Sequence, residues 1–149
     1  MAVKMVTENR QARFNFEIFK TFTAGMALLG TEVKALREGR VRLDSSYGRV
    51  IEGQVYLYDA YIGEYSHGNL NNHDPDRRRR LLLHKREIVK IGNVLKQKGL
   101  TLVPLNIFFN ERNLAKITVG IGRGKSKRDK RDTIRQREAD RQIRGLIGR

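Results

Sequence analysis

The histidines and aspartates between residues 67 and 84 are of the residue types that bind metal ions. His67, His73 and His84 offer imidazole nitrogens, and Asp74 and Asp76 offer carboxylate oxygens. Such groups hold zinc or a hydrolytic divalent ion when three or four of them converge. Their spacing matches no compact ligand pattern, and Asp-Pro-Asp at 74–76 is equally typical of a turn. We predict no metal and no other cofactor, with a metal-dependent nuclease as the least favoured alternative.

Other catalytic signatures are missing from the sequence. The absence of cysteine excludes thiolate catalysis, disulfides and cysteine-based zinc sites. There is no Gly-x-Ser-x-Gly elbow, no phosphate-binding Gly-x4-Gly-Lys-Ser/Thr loop and no HExxH pair. The sequence therefore predicts a protein that binds rather than catalyses.

Excess positive charge indicates the ligand. The 149 residues contain 31 Lys and Arg against 16 Asp and Glu, a net charge of +15, and the pI is about 10.7. A surplus of this size is typical of nucleic-acid binders. No apolar window approaches the roughly 20 residues of a membrane span, so we expect a cytoplasmic protein without membrane contact. The basic residues expected to meet phosphates lie in separate segments: Arg10, Arg13, Lys34, Arg37, Arg40, Arg42, Arg77, Arg78, Arg79, Arg80, Lys85 and Arg86.

The elements that would position these cations are mostly strands. Alternating apolar residues predict a strand over 14–22, and tyrosine-rich segments on either side of Glu52-Gly53 predict a hairpin. Two further strands are expected at 100–109 and 114–121, with Pro104 at a bulge or an edge. These patterns favour a mainly β protein built as a small, closed antiparallel barrel.

Two helices and a long loop complete the predicted domain, residues 1–121. Thr31 and Gly39 bound a short helix over 32–37, and apolar residues at helical spacing predict a second helix starting at Leu81 and ending near Gly99. The polar segment 63–76 is predicted as a loop. RNA is favoured over DNA, because small barrels bind RNA through surface aromatics and loops. The aromatic candidates for base stacking are Phe19, Tyr47, Tyr65 and His73.

Residues 122–149 form a basic tail with eleven Lys or Arg and no aromatic side chain. Its first half has too few apolar side chains to offset the ordering entropy, so we expect the tail to be disordered when free. Thr133 with Gln136 is a capping signature, and Ala139, Ile143 and Ile147 share a helical face. The tail is therefore predicted to become a helix when it meets a partner surface.

Several long segments resemble one family in sequence and in order. They are ENRQAR (8–13), GTEVKALREGRVRLDSSY (30–47), NHDPDRRRRLLLHKREI (72–88), QKGLTLVPLNIFFN (97–110) and GRGKSKRDKR (122–131). Together they resemble small protein B, the SsrA-binding family of bacterial trans-translation, over about residues 8–141. The resemblance implies an oligonucleotide-binding-like barrel, with two or three flanking helices and a basic tail.

The resemblance also implies a function and partners. Members of this family bind the tRNA-like domain of tmRNA, replace its missing anticodon arm, and deliver it to the A site of stalled ribosomes. The tail is implied to fold in the decoding centre and mRNA channel of the small subunit. A monomer is our default expectation. Candidate tmRNA-binding residues are Asn9, Arg10, Arg13, Glu32, Lys34, Arg37, His73, Arg77, Arg78, Arg79, Arg80, Lys85 and Arg86, and candidate ribosome-binding tail residues are Gly124, Lys125, Lys127, Arg128, Asp129, Lys130, Arg131 and Arg135.

Two positions depart from the family pattern, and one rival function remains. Thr23 stands where members commonly have Glu, and Arg128 stands where they often have His or an aromatic residue. The rival is a ribosomal protein whose tail threads rRNA.

For the arginine run, we expect Arg77→Glu with Arg79→Glu to leave the thermal midpoint nearly unchanged while weakening tmRNA binding at least tenfold, about 1.4 kcal/mol.

Overall fold

A computed structural model describes residues 3–67 and 72–125. Antiparallel strands dominate these residues, with three helices among them, so the predicted mainly β class is confirmed. The strands are β1 (Lys4–Glu8), β2 (Phe16–Met26), β3 (Val41–Arg42), β4 (Tyr47–Ile51), β5 (Gln54–Tyr58), β6 (Tyr61–Ile62), β7 (Arg79–Leu82), β8 (Leu100–Phe109) and β9 (Ala115–Gly124), and the helices are α1 (Ala12–Asn15), α2 (Gly30–Arg37) and α3 (Lys85–Leu95).

The main sheet closes on itself. Its order is β1-β8-β4-β5-β7-β2-β9, and β8 also pairs with β9, so the strands from β8 round to β9 form a ring with β1 attached outside it. Most side chains inside the ring are aliphatic, including Val55, Leu57, Leu81, Leu102 and Ile117, all fully buried. Closure leaves few strand edges with unpaired backbone groups, so few backbone groups lack a hydrogen-bond partner in this small domain.

Turn residues with positive φ fix the strand register. Glu52 and Gly53 have φ of 50° and 76°, the left-handed pair that a two-residue hairpin between β4 and β5 requires. Gly39 (φ 75°) ends α2, and Gly99 (φ 85°) separates α3 from β8. The hairpin at Glu52-Gly53 and the glycine stops at 39 and 99 were predicted from the sequence and are confirmed.

Pro104 lies at the bulge that the sequence predicted. The β8–β9 register shifts between Pro104 and Asn106, so the ladder is interrupted where proline lacks its N–H. The strand is nonetheless buried from Leu102 to Leu105, as its apolar composition indicated.

The segment 79–84 differs from the prediction. Helical spacing placed a helix start at Leu81, but residues 79–82 form β7, and α3 begins at Lys85. Burial alternates along β7, with Arg79 and Leu81 inside and Arg80 and Leu82 outside. The sequence does not show this alternation as an apolar pattern, because one of the two inward side chains is an arginine.

The helix α2 also begins differently. Thr31 was the expected N-cap, but the helix starts at Gly30, and the Leu29 N–H donates to Glu32 Oε1 at 2.8 Å. Ala35 and Leu36 pack into the core from α2, and Ile88 and Ile91 do so from α3. None of the helices within residues 3–67 and 72–125 is long and apolar enough to cross a bilayer.

The last strand runs past the expected domain boundary at residue 121. β9 continues to Gly124, and Phe16 of β2 lies opposite Gly124. Lys125 then donates its N–H to Asn15 O at 2.8 Å and its ammonium to Arg13 O at 3.1 Å. Gly124 therefore ends the last strand of the ring, and Lys125 is hydrogen-bonded to α1.

Candidate nucleic-acid interface

His73 and Asp74 of the histidine–aspartate cluster form hydrogen bonds within the fold and are not arranged as metal ligands. His73 is buried, donates from Nε2 to the Ile62 carbonyl at 2.8 Å, and has Nδ1 2.8 Å from the Thr31 hydroxyl. Asp74 Oδ1 accepts from the Asp76 N–H at 3.0 Å, which is the turn geometry that Asp-Pro-Asp indicated. In the part of the chain that the structure describes, no three His, Asp or Glu side chains are placed to share a metal ion.

Glu32 joins two of the arginines of the 77–80 run in a buried ionic cluster. Arg79 Nε lies 2.6 Å from Glu32 Oε2, and Arg77 Nη2 lies 2.5 Å from Oε1. Glu32 and Arg79 are fully buried, while the Arg77 side chain is one-third exposed. The cluster ties α2 to β7 across the end of the ring.

Backbone carbonyls accept the other hydrogen bonds of Arg79. Its Nη1 donates to Ala60 O at 2.6 Å, and its Nη2 donates to Pro75 O at 3.0 Å. Its Nη2 also approaches Asp74 O at 3.4 Å, at the limit of hydrogen bonding. A guanidinium is the side chain suited to so many acceptors in one plane. Arg79 therefore fastens the loop before β7 as well as the helix α2.

The electrostatics of Glu32 follow from these contacts. Burial alone would raise its pKa, but hydrogen bonds from the Leu29 N–H, Arg77 and Arg79 favour the carboxylate and hold the pKa below its usual value. Burial lowers the pKa of Arg79, and the hydrogen bond that Arg79 donates to Glu32 opposes this shift. The hydrogen bonds that Glu32 and Arg79 form thus offset the cost of burying both charges.

This geometry corrects the expectation for the arginine run. Arg79 and Glu32 have no surface to offer RNA, because their charged atoms face each other and the backbone. His73 is likewise enclosed, and Asn9 is partly buried, donating from Nδ2 to Pro104 O at 2.9 Å. Reversing Arg77 and Arg79 would bring three carboxylates together, so from this structure we expect the thermal midpoint of that double variant to fall instead of staying nearly unchanged.

An exposed cationic face lies on the outside of β4 and β5, beside the residue that precedes β7. We call it the tyrosine–arginine face and define it by Tyr47, Arg49, Tyr56, Tyr58 and Arg78. The rings of Tyr47 and Tyr58 stack at 5.6 Å with an interplanar angle of 14°. Arg78 lies 4.5 Å over the Tyr56 ring, and Arg49 lies 5.8 Å from the Tyr58 ring. Flat guanidinium and phenol groups are therefore presented side by side.

Hydrogen bonding and register extend this face. Arg78 Nη1 donates to the Tyr58 hydroxyl at 3.3 Å, and this contact raises the pKa of Arg78 further above its usual value. Arg80 is exposed and lies directly opposite Tyr56 in the β5–β7 register. A surface of this composition can stack nucleobases and attract phosphates at once.

A second set of cations lies around α2. Lys34 is 5.3 Å from the Tyr65 ring, Arg37 is 4.7 Å from the Phe109 ring, and both side chains are exposed. Arg37 Nη1 also approaches Asn113 Oδ1 at 3.4 Å. These contacts are weak enough to leave both charges accessible to a ligand.

The remaining predicted residues divide into two groups. Arg10, Arg13, Lys85 and Arg86 are exposed: Arg10 precedes α1, Arg13 lies in α1, and the other two lie at the start of α3. Of the predicted tail, Gly124 ends β9 and Lys125 contacts α1. The other predicted tail residues lie outside the described part of the chain: Lys127, Arg128, Asp129, Lys130, Arg131 and Arg135.

Part of the tyrosine–arginine face was not predicted from the sequence. Arg49 was in no candidate set, and Tyr56 and Tyr58 were used only as indicators of β structure. The hairpin prediction already contained the signal, since residues 47, 49, 56 and 58 share one side once Glu52-Gly53 fixes the register.

The fold and its surface define a class: a small ring of antiparallel strands with basic, aromatic outer faces. The family model described as "SmpB protein" matches residues 6–148. The chain belongs to the SmpB family.

Curated relatives match almost the whole chain. The SsrA-binding protein of Moorella thermoacetica is 49% identical over 141 residues, covering 95% of this chain and 91% of the relative. That of Thermosipho africanus is 44% identical over 147 residues, covering 99% of each. A solved chain described as "tmRNA-SmpB: a journey to the center of the bacterial ribosome" is 48% identical, with a TM-score of 0.70, covering 87% of this chain and 94% of that one.

Proposed function

We propose that this protein is a non-catalytic RNA-binding adaptor of trans-translation. It binds the tRNA-like domain of tmRNA, stands in for the missing anticodon arm, and brings the complex to the A site of stalled ribosomes. It acts in the cytoplasm as a monomer and uses no cofactor. The relatives named SsrA-binding proteins, matched over nearly their full length, support this proposal.

The observation that carries the proposal is the tyrosine–arginine face. Its guanidinium groups rest on tyrosine rings, so they are oriented before any ligand arrives and lose little side-chain freedom on binding. RNA offers what such a surface recognises, namely phosphates for the charges and unpaired bases for the rings. We assign Arg49, Arg78 and Arg80 to RNA contact on this face.

Exposed cations outside this face extend the proposed contact area. Lys34 and Arg37 would meet RNA beside α2, and Arg10, Arg13, Lys85 and Arg86 would add phosphate contacts. Arg77 forms an ion pair with Glu32 but keeps one-third of its side chain exposed, so we propose that it both stabilises the fold and contacts RNA. We propose that the tail beyond Lys125 binds the decoding centre and mRNA channel of the small subunit.

Affinity for the tRNA-like domain tests the proposal. Arg49→Ala with Arg78→Ala should weaken binding at least tenfold at moderate salt, and should lower the slope of log affinity against log salt by roughly 0.7–0.9 for each phosphate that is no longer neutralised. Arg112→Ala is the control for an arginine lost outside the face, because Arg112 is exposed in the β8–β9 turn. An elongator tRNA should bind the parent protein more weakly than the tRNA-like domain. Equal weakening in the control and the double variant would count against the assigned face.

Two other functions predict different results. A ribosomal protein would remain on salt-washed idle subunits in stoichiometric amount, whereas an adaptor would be absent from them. A nuclease would degrade RNA in the presence of Mg²⁺ or Mn²⁺, whereas we expect no turnover.

A further inference from the structure

A bulge in β2 places an aromatic side chain on the surface. The β2–β9 register steps from Ile18 opposite Gly122 to Lys20 opposite Ile121, so Phe19 is the extra residue of the bulge. Its side chain is 53% exposed, unusual for a phenylalanine. Bulges commonly redirect a side chain where a strand serves a binding site.

Phe19 borders a groove between the strands and α3. The groove has a volume of about 440 Å³, enough for one nucleotide, and its floor is formed by apolar side chains that include Ile121. Six residues that bear on ligand binding line it: Phe19, Lys20, Lys90, Val94, Gln97 and Arg123.

Three cations surround this aromatic ring and its groove. The Arg123 guanidinium lies 5.8 Å from the Phe19 centroid. Lys20 and Lys90 lie side by side, and the contact with the Lys90 ammonium lowers the pKa of Lys20, while Glu87 acts weakly in the opposite direction. Within residues 3–67 and 72–125, none of the three cations forms an ion pair with a carboxylate. Two adjacent ammonium groups repel each other, and a bound anion would relieve that repulsion.

We propose that this groove binds one nucleotide of single-stranded RNA. The base stacks on Phe19 against Arg123, and its phosphate lies between Lys20 and Lys90. This second RNA site is separate from the tyrosine–arginine face, although the choice of RNA as the polymer rests on the proposed function. Stacking on an exposed ring beside cations is how sequence-tolerant single-strand sites work. An acidic peptide would use the lysines but would gain little from an exposed phenyl ring.

Short oligonucleotides test the groove without using tmRNA. Binding of labelled pentauridylate to the full chain is measured by anisotropy for the parent, Phe19→Ala, Phe19→Tyr, Lys20→Ala with Lys90→Ala, and Lys98→Ala. Phe19→Ala should weaken binding about five- to a hundredfold, and Phe19→Tyr should remain near the parent. The double lysine variant should reduce the salt slope by about 0.7, for one phosphate. The exposed Lys98 lies outside the groove, so Lys98→Ala is the control for positive charge lost elsewhere on the surface, one charge against the two of the double lysine variant.

An abasic pentamer separates stacking from charge. The parent and Phe19→Ala should bind it equally, since it carries phosphates but no base. The groove proposal fails if Phe19→Ala and the parent bind pentauridylate equally, or if an acidic pentapeptide binds more tightly and shows the same Phe19 dependence. If the tRNA-like domain shows no preference over tRNA while Phe19 dependence persists, the proposed function fails and the groove stands.

Discussion

Replacing Arg79 with methionine should destabilise the protein strongly, because the buried carboxylate of Glu32 depends on it. The substitution keeps the apolar stem but removes the 2.6 Å bond to Glu32 and the bonds to Ala60 O and Pro75 O. Breaking a buried ion pair from one side typically costs about 3–5 kcal/mol. Glu32 retains Arg77 and the Leu29 N–H, so we expect the lower end, about 3 kcal/mol.

Urea unfolding followed by circular dichroism measures this destabilisation, and the neighbouring residue supplies the control. Arg80→Met removes the same charge from the outward side of β7 and should change the free energy of unfolding by no more than about 0.5 kcal/mol. The m value should be unchanged in both variants. Adding Glu32→Leu to Arg79→Met should recover part of the stability, because the orphaned carboxylate is removed. A difference below about 1 kcal/mol between Arg79→Met and Arg80→Met would refute the role given to the buried pair.

Three further predictions concern stability. Folding lowers the pKa of Glu32, so the ionised carboxylate stabilises the fold above its unfolded pKa of about 4.3. This stabilisation is lost as the pH falls through the folded pKa. Glu32→Gln should therefore make the free energy of unfolding depend less on pH in the acid range, as measured by urea unfolding at a series of pH values. Gly48→Ala would place a Cβ 2.4 Å from Leu102 Cδ2 in the core, and should lower the free energy of urea unfolding by about 1–3 kcal/mol. Gly53→Ala forces a side chain onto φ 76° and should cost about 1 kcal/mol, whereas Gly30→Ala, with open space and ordinary φ, should cost nothing measurable by thermal unfolding.

The sequence predicted the parts of the fold that local chemistry determines. Glu52-Gly53 specified the hairpin, Pro104 specified a bulge, and Gly39 specified a helix end, because each position requires a backbone state that few residues adopt. The β class followed from alternating apolar residues, whose period is set by the strand itself.

The parts that failed depend on contacts between distant segments. Arg79 reads as one more surface cation, and nothing nearby indicates that Glu32, 47 residues away, will enclose it. The same ion pair concealed β7, because an inward arginine breaks the apolar alternation that identifies a strand. For the candidate site, charge predicted which segments are basic, but only the register could separate exposed Arg78 and Arg80 from buried Arg79.

The ring closes unevenly around its circumference. β8 pairs with β9 along nearly its whole length, whereas β4 meets β8 at Gly48 opposite Leu102, the shortest junction in the circle. Thermal breathing should begin at this junction, where amide hydrogen exchange would be fastest among the ring strands. Parting there converts the closed circle into a curved open sheet whose other pairings persist, so the curvature of the protein can adjust to a partner without global unfolding.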